Sequence, residues 1–191
     1  MKKIFVLILV SIFIFSCNCG LKKDCETPQK VGNFAPKYVT LDDMTLIGIE
    51  KRIDNPMTIP QVWRELSNRE DEIINLANPE EFWSAAYDYD QKTGFSEFSI
   101  IVGREVNSTD EIPEGMTYRN IPGRKYAVFS HRGPLDNLGE TYNAIYTEWL
   151  PKSGYEHDMS DELEFYDNRF KYGEPDSEMF IYVPIKQADQ L

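Results

Sequence analysis

Four stretches of the chain have the residue pattern of β-strands: two alternate between apolar and polar residues, and two are apolar and β-rich. Residues 46–52 (LIGIEKR) correspond to residues 126–132 (YAVFSHR) at an offset of 80 positions. Residues 96–103 (SEFSIIVG) correspond to residues 177–184 (SEMFIYVP) at an offset of 81 positions. Two correspondences at nearly the same offset predict that the chain contains one internal duplication.

The elements between these strands also occur twice. Apolar residues three or four positions apart predict an amphipathic helix over residues 58–69. The aromatic segments 82–90 (FWSAAYDYD) and 163–167 (LEFYD) predict a short strand at the corresponding place in each half. A second helix is predicted by an apolar face made of Leu138, Tyr142, Ile145, Tyr146 and Trp149, and it ends at Pro151 and Gly154.

Each half therefore reads strand, helix, strand, strand, and the predicted fold class is α+β. Two such units related by a pseudo-twofold axis would pair their sheets and place the helices on one side. We expect a ligand cleft between the repeats, because concave junctions between packed units collect binding sites. The folded domain is predicted over residues 38–188, with repeats at about 38–110 and 117–188.

The amino terminus predicts export. Two lysines precede an apolar run over residues 4–15, which is short for a membrane span but suits the core of a signal peptide. The run ends in Ile-Phe-Ser-Cys, which resembles a bacterial lipobox, so we expect residues 1–16 to be removed and Cys17 to be lipidated with palmitate or a similar acyl chain. Residues 17–37 would link this anchor in the cell envelope to the domain. An ordinary signal peptide and an uncleaved anchor are the alternatives.

The net charge and the cysteine content exclude several classes of binding partner. The 191 residues carry a formal net charge of −12, which argues against nucleic acid because phosphate binding needs a basic surface. The same charge argues against loose adhesion to anionic lipid. Cys19 and Cys25 could form a disulfide or remain free thiols in the linker. Neither a metal nor a cofactor is expected, because no cysteine or histidine cluster has metal-ligand spacing.

Glu164 is the candidate functional residue. Strand alternation places Glu164 and Tyr166 on one face, and Leu163 and Phe165 on the other. A carboxylate among aromatic rings is costly to desolvate without a partner, and a lipophilic cation would supply one and gain cation–π attraction. Aligning the Tyr-Asp endings of the two short strands places Tyr87 opposite Glu164. The alternative is a solvent-facing glutamate on an edge strand.

The aromatic residues divide into two groups. Core packing is the interpretation for Trp63, Phe98 and Phe129. Tyrosines are expected to line a site, because the phenol hydroxyl needs a polar partner. The tyrosines assigned to the site on this ground are Tyr87, Tyr89, Tyr142, Tyr146 and Tyr166.

Four motifs follow one another in the second half of the chain. They are NIPGRKYAVFSHRGP at 120–134, IYTEWLPKSGYE at 145–156, LEFYD at 163–167 and FIYVPIK at 180–186. Together they resemble the GyrI-like small-molecule-binding domain, also known as the AraC-type effector-binding domain. The resemblance extends more weakly over residues 46–186, and the family fold is a duplicated strand-helix-strand-strand unit.

The resemblance implies that Glu164 holds a hydrophobic, often cationic, molecule in an aromatic cleft. Trp83 and Tyr87 fall in the family's aromatic strand of the first half, and Trp149 begins its Trp-Leu-Pro motif. The expected ligand-binding residues are therefore Glu164, Tyr166, Tyr87, Trp83, Trp149 and Tyr146.

Regulators of this family carry a DNA-binding domain beside the module, whereas a signal peptide and lipobox are predicted here. We therefore expect an exported, lipid-anchored protein that binds hydrophobic or cationic small molecules and no nucleic acid. Stand-alone members described as hydrolases of electrophilic compounds suggest a first alternative, with Glu164 as general base or nucleophile. The second alternative is a protein-interaction module with a vestigial cleft and an acidic surface.

Overall fold

The computed structural model describes residues 34–93 and 96–188. The predicted signal peptide and the three cysteines, Cys17, Cys19 and Cys25, lie outside the described residues. Export, lipidation and the pairing of the thiols therefore stay predictions. Within the described ranges, no helix is both long enough and apolar enough to cross a membrane.

The described residues form an α+β fold, which confirms the predicted fold class. Nine antiparallel strands make one sheet, and two α-helices pack against one of its faces. The strands are β1 (Lys37–Leu41), β2 (Met44–Ile53), β3 (Phe82–Tyr87), β4 (Phe98–Glu105), β5 (Thr117–Ile121), β6 (Arg124–Arg132), β7 (Tyr155–His157), β8 (Glu162–Tyr166) and β9 (Glu178–Gln187), and the helices are α1 (Ile59–Ser67) and α2 (Leu138–Asn143).

The strand order is β1-β6-β9-β8-β3-β4-β2-β5, with β7 pairing beside β9. The β3–β8 pair lies at the middle of this order. The end strands cross between the two halves of the chain, because β1 pairs with β6 and β5 pairs with β2. The strand-helix-strand-strand prediction missed β1, β5 and β7. The first two are five-residue edge strands and β7 has three residues, so hydrophobic alternation marks them weakly.

The first helix follows a turn in which the Asn55 side chain accepts a hydrogen bond from the backbone N–H of Met57. Pro60 lies in the first turn of α1, where its missing N–H costs nothing. The helix buries Val62 and Leu66 against β2 and β4. The predicted helix over 58–69 is thus present, with slightly shorter bounds.

The second helix changes its winding along its length. After α2 the chain continues as a π-helix over Ala144–Trp149 and a 3-10 turn over Leu150–Lys152, where the sequence predicts one regular helix. π-helical turns are rare in proteins, and those that occur often lie at functional sites. The rings of Tyr142 and Tyr146 are nearly parallel across this junction, with centroids 6.4 Å apart. Both rings therefore present their hydroxyls to the sheet.

The sheet is apolar on both faces. On the face away from the helices, Trp83 and Tyr87 of β3 join Leu163 and Phe165 of β8 in one buried cluster. On the helix-covered face, two further clusters lie under α1 and under the α2 region. Adjacent residues of β3 and β8 therefore enter different environments.

The pairing of β2 with β4 places Gly48 opposite Gly103, and backbone contact there leaves no room for a side chain. A Cβ at Gly48 would lie 1.9 Å from the carbonyl oxygen of Val102. Because the neighbour is backbone, no rotamer change relieves the clash. We expect Gly48→Ala to lower the free energy of unfolding by about 1–3 kcal/mol, measured by urea denaturation.

Gly139→Ala in α2 is the matched control, because a Cβ there has no heavy atom within 4 Å. Alanine should raise stability by about 0.5–1 kcal/mol at a helical position. Equal losses of stability in the two variants would contradict this account of the β2–β4 contact.

Candidate functional site

Polar side chains collect along the β3–β8 pair, on the helix-covered face of the sheet. The register places Ser84 opposite Glu164 and Ala86 opposite Glu162. These small residues of β3 leave space above the sheet for the longer glutamates of β8. Strand alternation directs Glu162, Glu164 and Tyr166 to this same face.

Glu164 is half-buried and accepts three hydroxyl hydrogen bonds. Tyr142 donates to Oε1 over 2.8 Å. Tyr166 and Ser84 donate to Oε2 over 2.7 Å and 3.1 Å. Among the residues that the structure describes, no lysine or arginine forms a salt bridge with Glu164. The described part of the chain therefore stabilises this carboxylate through neutral donors alone.

The tyrosines around Glu164 are held in their neutral form. Burial, and after it the charge of Glu164, raises the pKa of Tyr142 and Tyr166 well above the usual value. Burial and the charge of Glu162 raise the pKa of Tyr89 in the same way. Tyr142 and Tyr166 therefore act as hydrogen-bond donors at neutral pH, and all three phenols are weak acids there.

Aromatic rings of α1 and of the strands beneath it pack beside Glu164 and extend this site. The Trp63 ring of α1 meets the Tyr166 ring edge to face, with centroids 4.9 Å apart. Trp63 also packs, as do Phe82 and Tyr89, against both clusters on the helix-covered face. We call this set of buried and half-buried side chains the aromatic groove; it consists of Glu164 with Trp63, Phe82, Tyr89, Tyr142 and Tyr166.

A second carboxyl group lies on the same face of β8. Glu162 is only 4% exposed and accepts a hydrogen bond from the hydroxyl of Tyr146. Nε2 of His157 lies 3.8 Å from Oε2 of Glu162. Burial first, and then the charge of Glu164, raises the pKa of Glu162 to about 8. The site thus holds two acidic groups two residues apart.

The predicted site residues fall into two sets. Glu164 and Tyr166 meet in the groove, as their shared face predicts, and Tyr146 lies beside it on Glu162. Trp83 and Tyr87 do not meet Glu164, because they lie on the opposite face of the sheet.

The placement of Tyr87 opposite Glu164 is wrong. Ser84 takes that position, and Tyr87 instead donates to Glu50 and packs under the Arg119 guanidinium. The alignment failed because Asp88 has a positive φ of 53°, which interrupts strand alternation between Tyr87 and Tyr89. Tyr89 returns to the groove as a result.

Trp149 lies away from the groove. Its ring packs edge to face on Phe129, with centroids 4.9 Å apart. Phe34 stacks on the same Phe129 ring, so this tryptophan belongs to the packing beside the start of the described chain.

The sequence pattern predicts a core position for Trp63 and no site role for Phe82 or Glu162. Phe82 and Glu162 had a usable signal, since period-two alternation already places Phe82 with Ser84, and Glu162 with Glu164. Trp63 had none, because its approach to Tyr166 depends on how α1 docks on the sheet.

Comparison with known proteins agrees with this architecture. Residues 34–186 match the family described as the GyrI-like small molecule binding domain. The transcriptional regulator BrlR of Pseudomonas aeruginosa is 32% identical over 158 residues, which are 82% of this chain and 57% of the regulator. The chain thus spans little more than half of that relative.

Several solved structures share the fold. SAV2435 bound to tetraphenylphosphonium has a TM-score of 0.64 at 14% identity, covering 79% of this chain and 93% of that one. The EcmrR C-terminal domain has a TM-score of 0.60 at 17% identity, covering 82% and 99%. An integron cassette protein of Vibrio cholerae has a TM-score of 0.60 at 15% identity, covering 80% and 96%. On the family match and the identity to BrlR, this chain belongs to the GyrI-like small molecule binding domain family.

Proposed function

We propose that this protein is an exported, lipid-anchored binding protein that takes hydrophobic or cationic small molecules into the aromatic groove. The observation that carries the proposal is the half-buried Glu164 carboxylate, which has no basic partner among the described residues. A lipophilic cation would supply the missing charge, and the ring faces would add about 0.5–2 kcal/mol each.

The hydrogen bonds of Glu164 suggest where a ligand would enter. Ser84 and Tyr166 hold Oε2 from the sheet, whereas Tyr142 alone holds Oε1 from the helix side. Movement of the Tyr142 ring would free Oε1 and leave the carboxylate oriented by its other two donors. We therefore propose Oε1 as the atom that faces the bound cation.

The comparisons support a cationic ligand class. SAV2435 has been solved with tetraphenylphosphonium, a lipophilic cation, and its fold is similar to that of this chain. BrlR is a transcriptional regulator, but this chain spans only 57% of it and is acidic, so we do not extend regulation to it. Neutral, high-pKa tyrosines favour binding over acid catalysis in the groove.

We also propose that the two halves arose by duplication, with the ligand site between them. The strand order supports this, because β1-β6-β9-β8 mirrors β5-β2-β4-β3 about the central pair. The groove draws Trp63 from the first half and Tyr142 and Glu164 from the second. A site built in this way would lie at the junction of the repeats.

Glu164→Gln should weaken binding of tetraphenylphosphonium at least tenfold, or about 1.4 kcal/mol, because it removes the anion and keeps the shape. Isothermal titration calorimetry on the folded domain would measure the dissociation constant. Glu80→Gln, on an exposed loop, removes the same charge outside the groove and should change binding less than twofold.

Three results would overturn the binding proposal in different ways. Equal affinities of the two variants would show that Glu164 is not the anchor. If neither wild type nor either variant bound tetraphenylphosphonium, the protein-interaction alternative would be favoured. Consumption of an electrophilic test compound by wild type, lost in Glu164→Gln, would favour the hydrolase.

Trp63→Leu and Trp149→Leu form a second matched pair. Trp63 lies in the groove and Trp149 packs on Phe129 instead. Trp63→Leu should weaken the cation by about 0.5–2 kcal/mol, the worth of one cation–π contact. Trp149→Leu should leave the affinity unchanged at temperatures where both proteins are folded. The reverse order would place the ligand near Phe129.

Cys17→Ser in the full chain should abolish labelling by radioactive palmitate in a bacterial host and release the protein from the membrane fraction. The reason is that the lipobox cysteine would carry the acyl chain. Cys19→Ser is the control and should keep its label. Retained label in Cys17→Ser, or a soluble wild-type protein, would contradict the anchor.

A further inference from the structure

Glu162 is a buried carboxyl group on the helix-covered face of β8. Its side chain is 4% exposed, and its Oε2 accepts from the Tyr146 hydroxyl. Burying an ionised carboxylate without a cation is expensive, and such groups commonly keep a proton instead. The groups that face Glu162 decide whether this happens here.

His157 of β7 is the only basic side chain that the structure places beside Glu162 among the described residues. Its Nδ1 accepts a hydrogen bond from the backbone N–H of Met159 over 2.9 Å. The single ring proton of the neutral imidazole therefore sits on Nε2, and a second proton on Nδ1 would face another donor. Burial also lowers the pKa of His157 to about 4.

The remaining titratable groups that face Glu162 are tyrosines and Glu164. Tyr146 on the π-helix donates a hydrogen bond to Glu162, and burial raises the pKa of Tyr142 on α2 and of Tyr89 after β3 well above the usual value. Ala86 of β3 lies opposite Glu162 and adds no charge. Glu164, on the same face of β8, adds negative charge and disfavours ionisation of Glu162.

We propose that Glu162 holds a proton while the groove is empty and releases it when a cation binds at Glu164. Glu162 is then a specificity-determining residue, because a cation gains a second anion beneath Glu164 while a neutral compound does not. This inference rests on the proposed binding function. The proton leaves to solvent, and the two carboxylates then balance the charge of the ligand more fully than Glu164 alone.

The direction of the pH dependence follows from linkage. A bound cation lowers the pKa of Glu162, so binding releases protons and strengthens as pH rises towards about 8, the pKa in the empty groove. Above that pH Glu162 is ionised in both states, and the affinity levels off. A lowering of the pKa by about 1 unit on cation binding would release roughly half a proton near pH 7.4.

Tetraphenylphosphonium is the probe, because its charge is permanent and any released proton comes from the protein. Calorimetric titrations at pH 7.4 in buffers of different ionisation enthalpy, such as phosphate and Tris, give the number of protons released per cation bound. Wild type should release about half a proton, and Glu162→Gln should bind the cation with no release. Equal proton numbers in the two proteins would overturn the proposal.

Tyr146→Phe keeps the carboxyl group and removes its hydroxyl donor, so it tests the same idea if Glu162→Gln fails to fold. Loss of a donor to the carboxylate raises the pKa of Glu162 and should move the pH range of proton release upward. An unchanged range would count against Glu162 as the proton source.

A ligand-free measurement separates the two proposals. Folding raises the pKa of Glu162, so its contribution to stability is complete below the unfolded pKa near 4.3 and is lost as pH rises through about 8. Wild type should lose stability over this range relative to Glu162→Gln in urea denaturation. Parallel profiles would show that Glu162 holds no proton, whether or not a cation binds. If the stability profiles of the two proteins diverged but no cation bound, the proposed function and the proton release on binding would be overturned. The conclusion that Glu162 is protonated in the folded protein would stand.

Discussion

The antiparallel pairing of β3 with β8 is the constraint on which the rest of the site depends. It joins the two halves of the sheet and places Ser84 opposite Glu164. Small residues on β3 allow the two glutamates of β8 to rise from the sheet towards the tyrosines of α2 and the π-helix. A shift of one residue in this register would send Glu162 and Glu164 to the opposite face, among Trp83 and Tyr87.

Two neighbouring acidic groups in this site are satisfied by hydroxyls and not by cations. Tyr142, Tyr166 and Ser84 serve Glu164, and Tyr146 serves Glu162. Hydroxyl donors orient the Glu164 carboxylate and lower the cost of burying it, but they supply no positive charge. This arrangement suits the proposed cationic ligand, because no lysine or arginine among the described residues is paired with Glu164.

The π-helix that follows α2 helps to place hydroxyl donors on the two glutamates of β8. Tyr142 and Tyr146 lie on either side of the junction with the π-helix, with nearly parallel rings. Each hydroxyl reaches a different glutamate of β8, so one helix provides a donor for both acidic groups. The first half of the chain contributes Trp63, whose ring packs edge to face on Tyr166.

By itself, the sequence determined the fold class, the two helices, the main strands and the shared face of Glu164 and Tyr166. Those features follow from local periodicity, which needs only neighbouring residues. The partner of Glu164, the burial of Glu162 and the entry of Trp63 were decided by tertiary structure alone, because strand register and helix docking depend on segments far apart in the chain. Tyr87 shows where prediction from the sequence ends. The positive φ of Asp88 ends the strand alternation after Tyr87, and the pattern of apolar residues does not predict that turn.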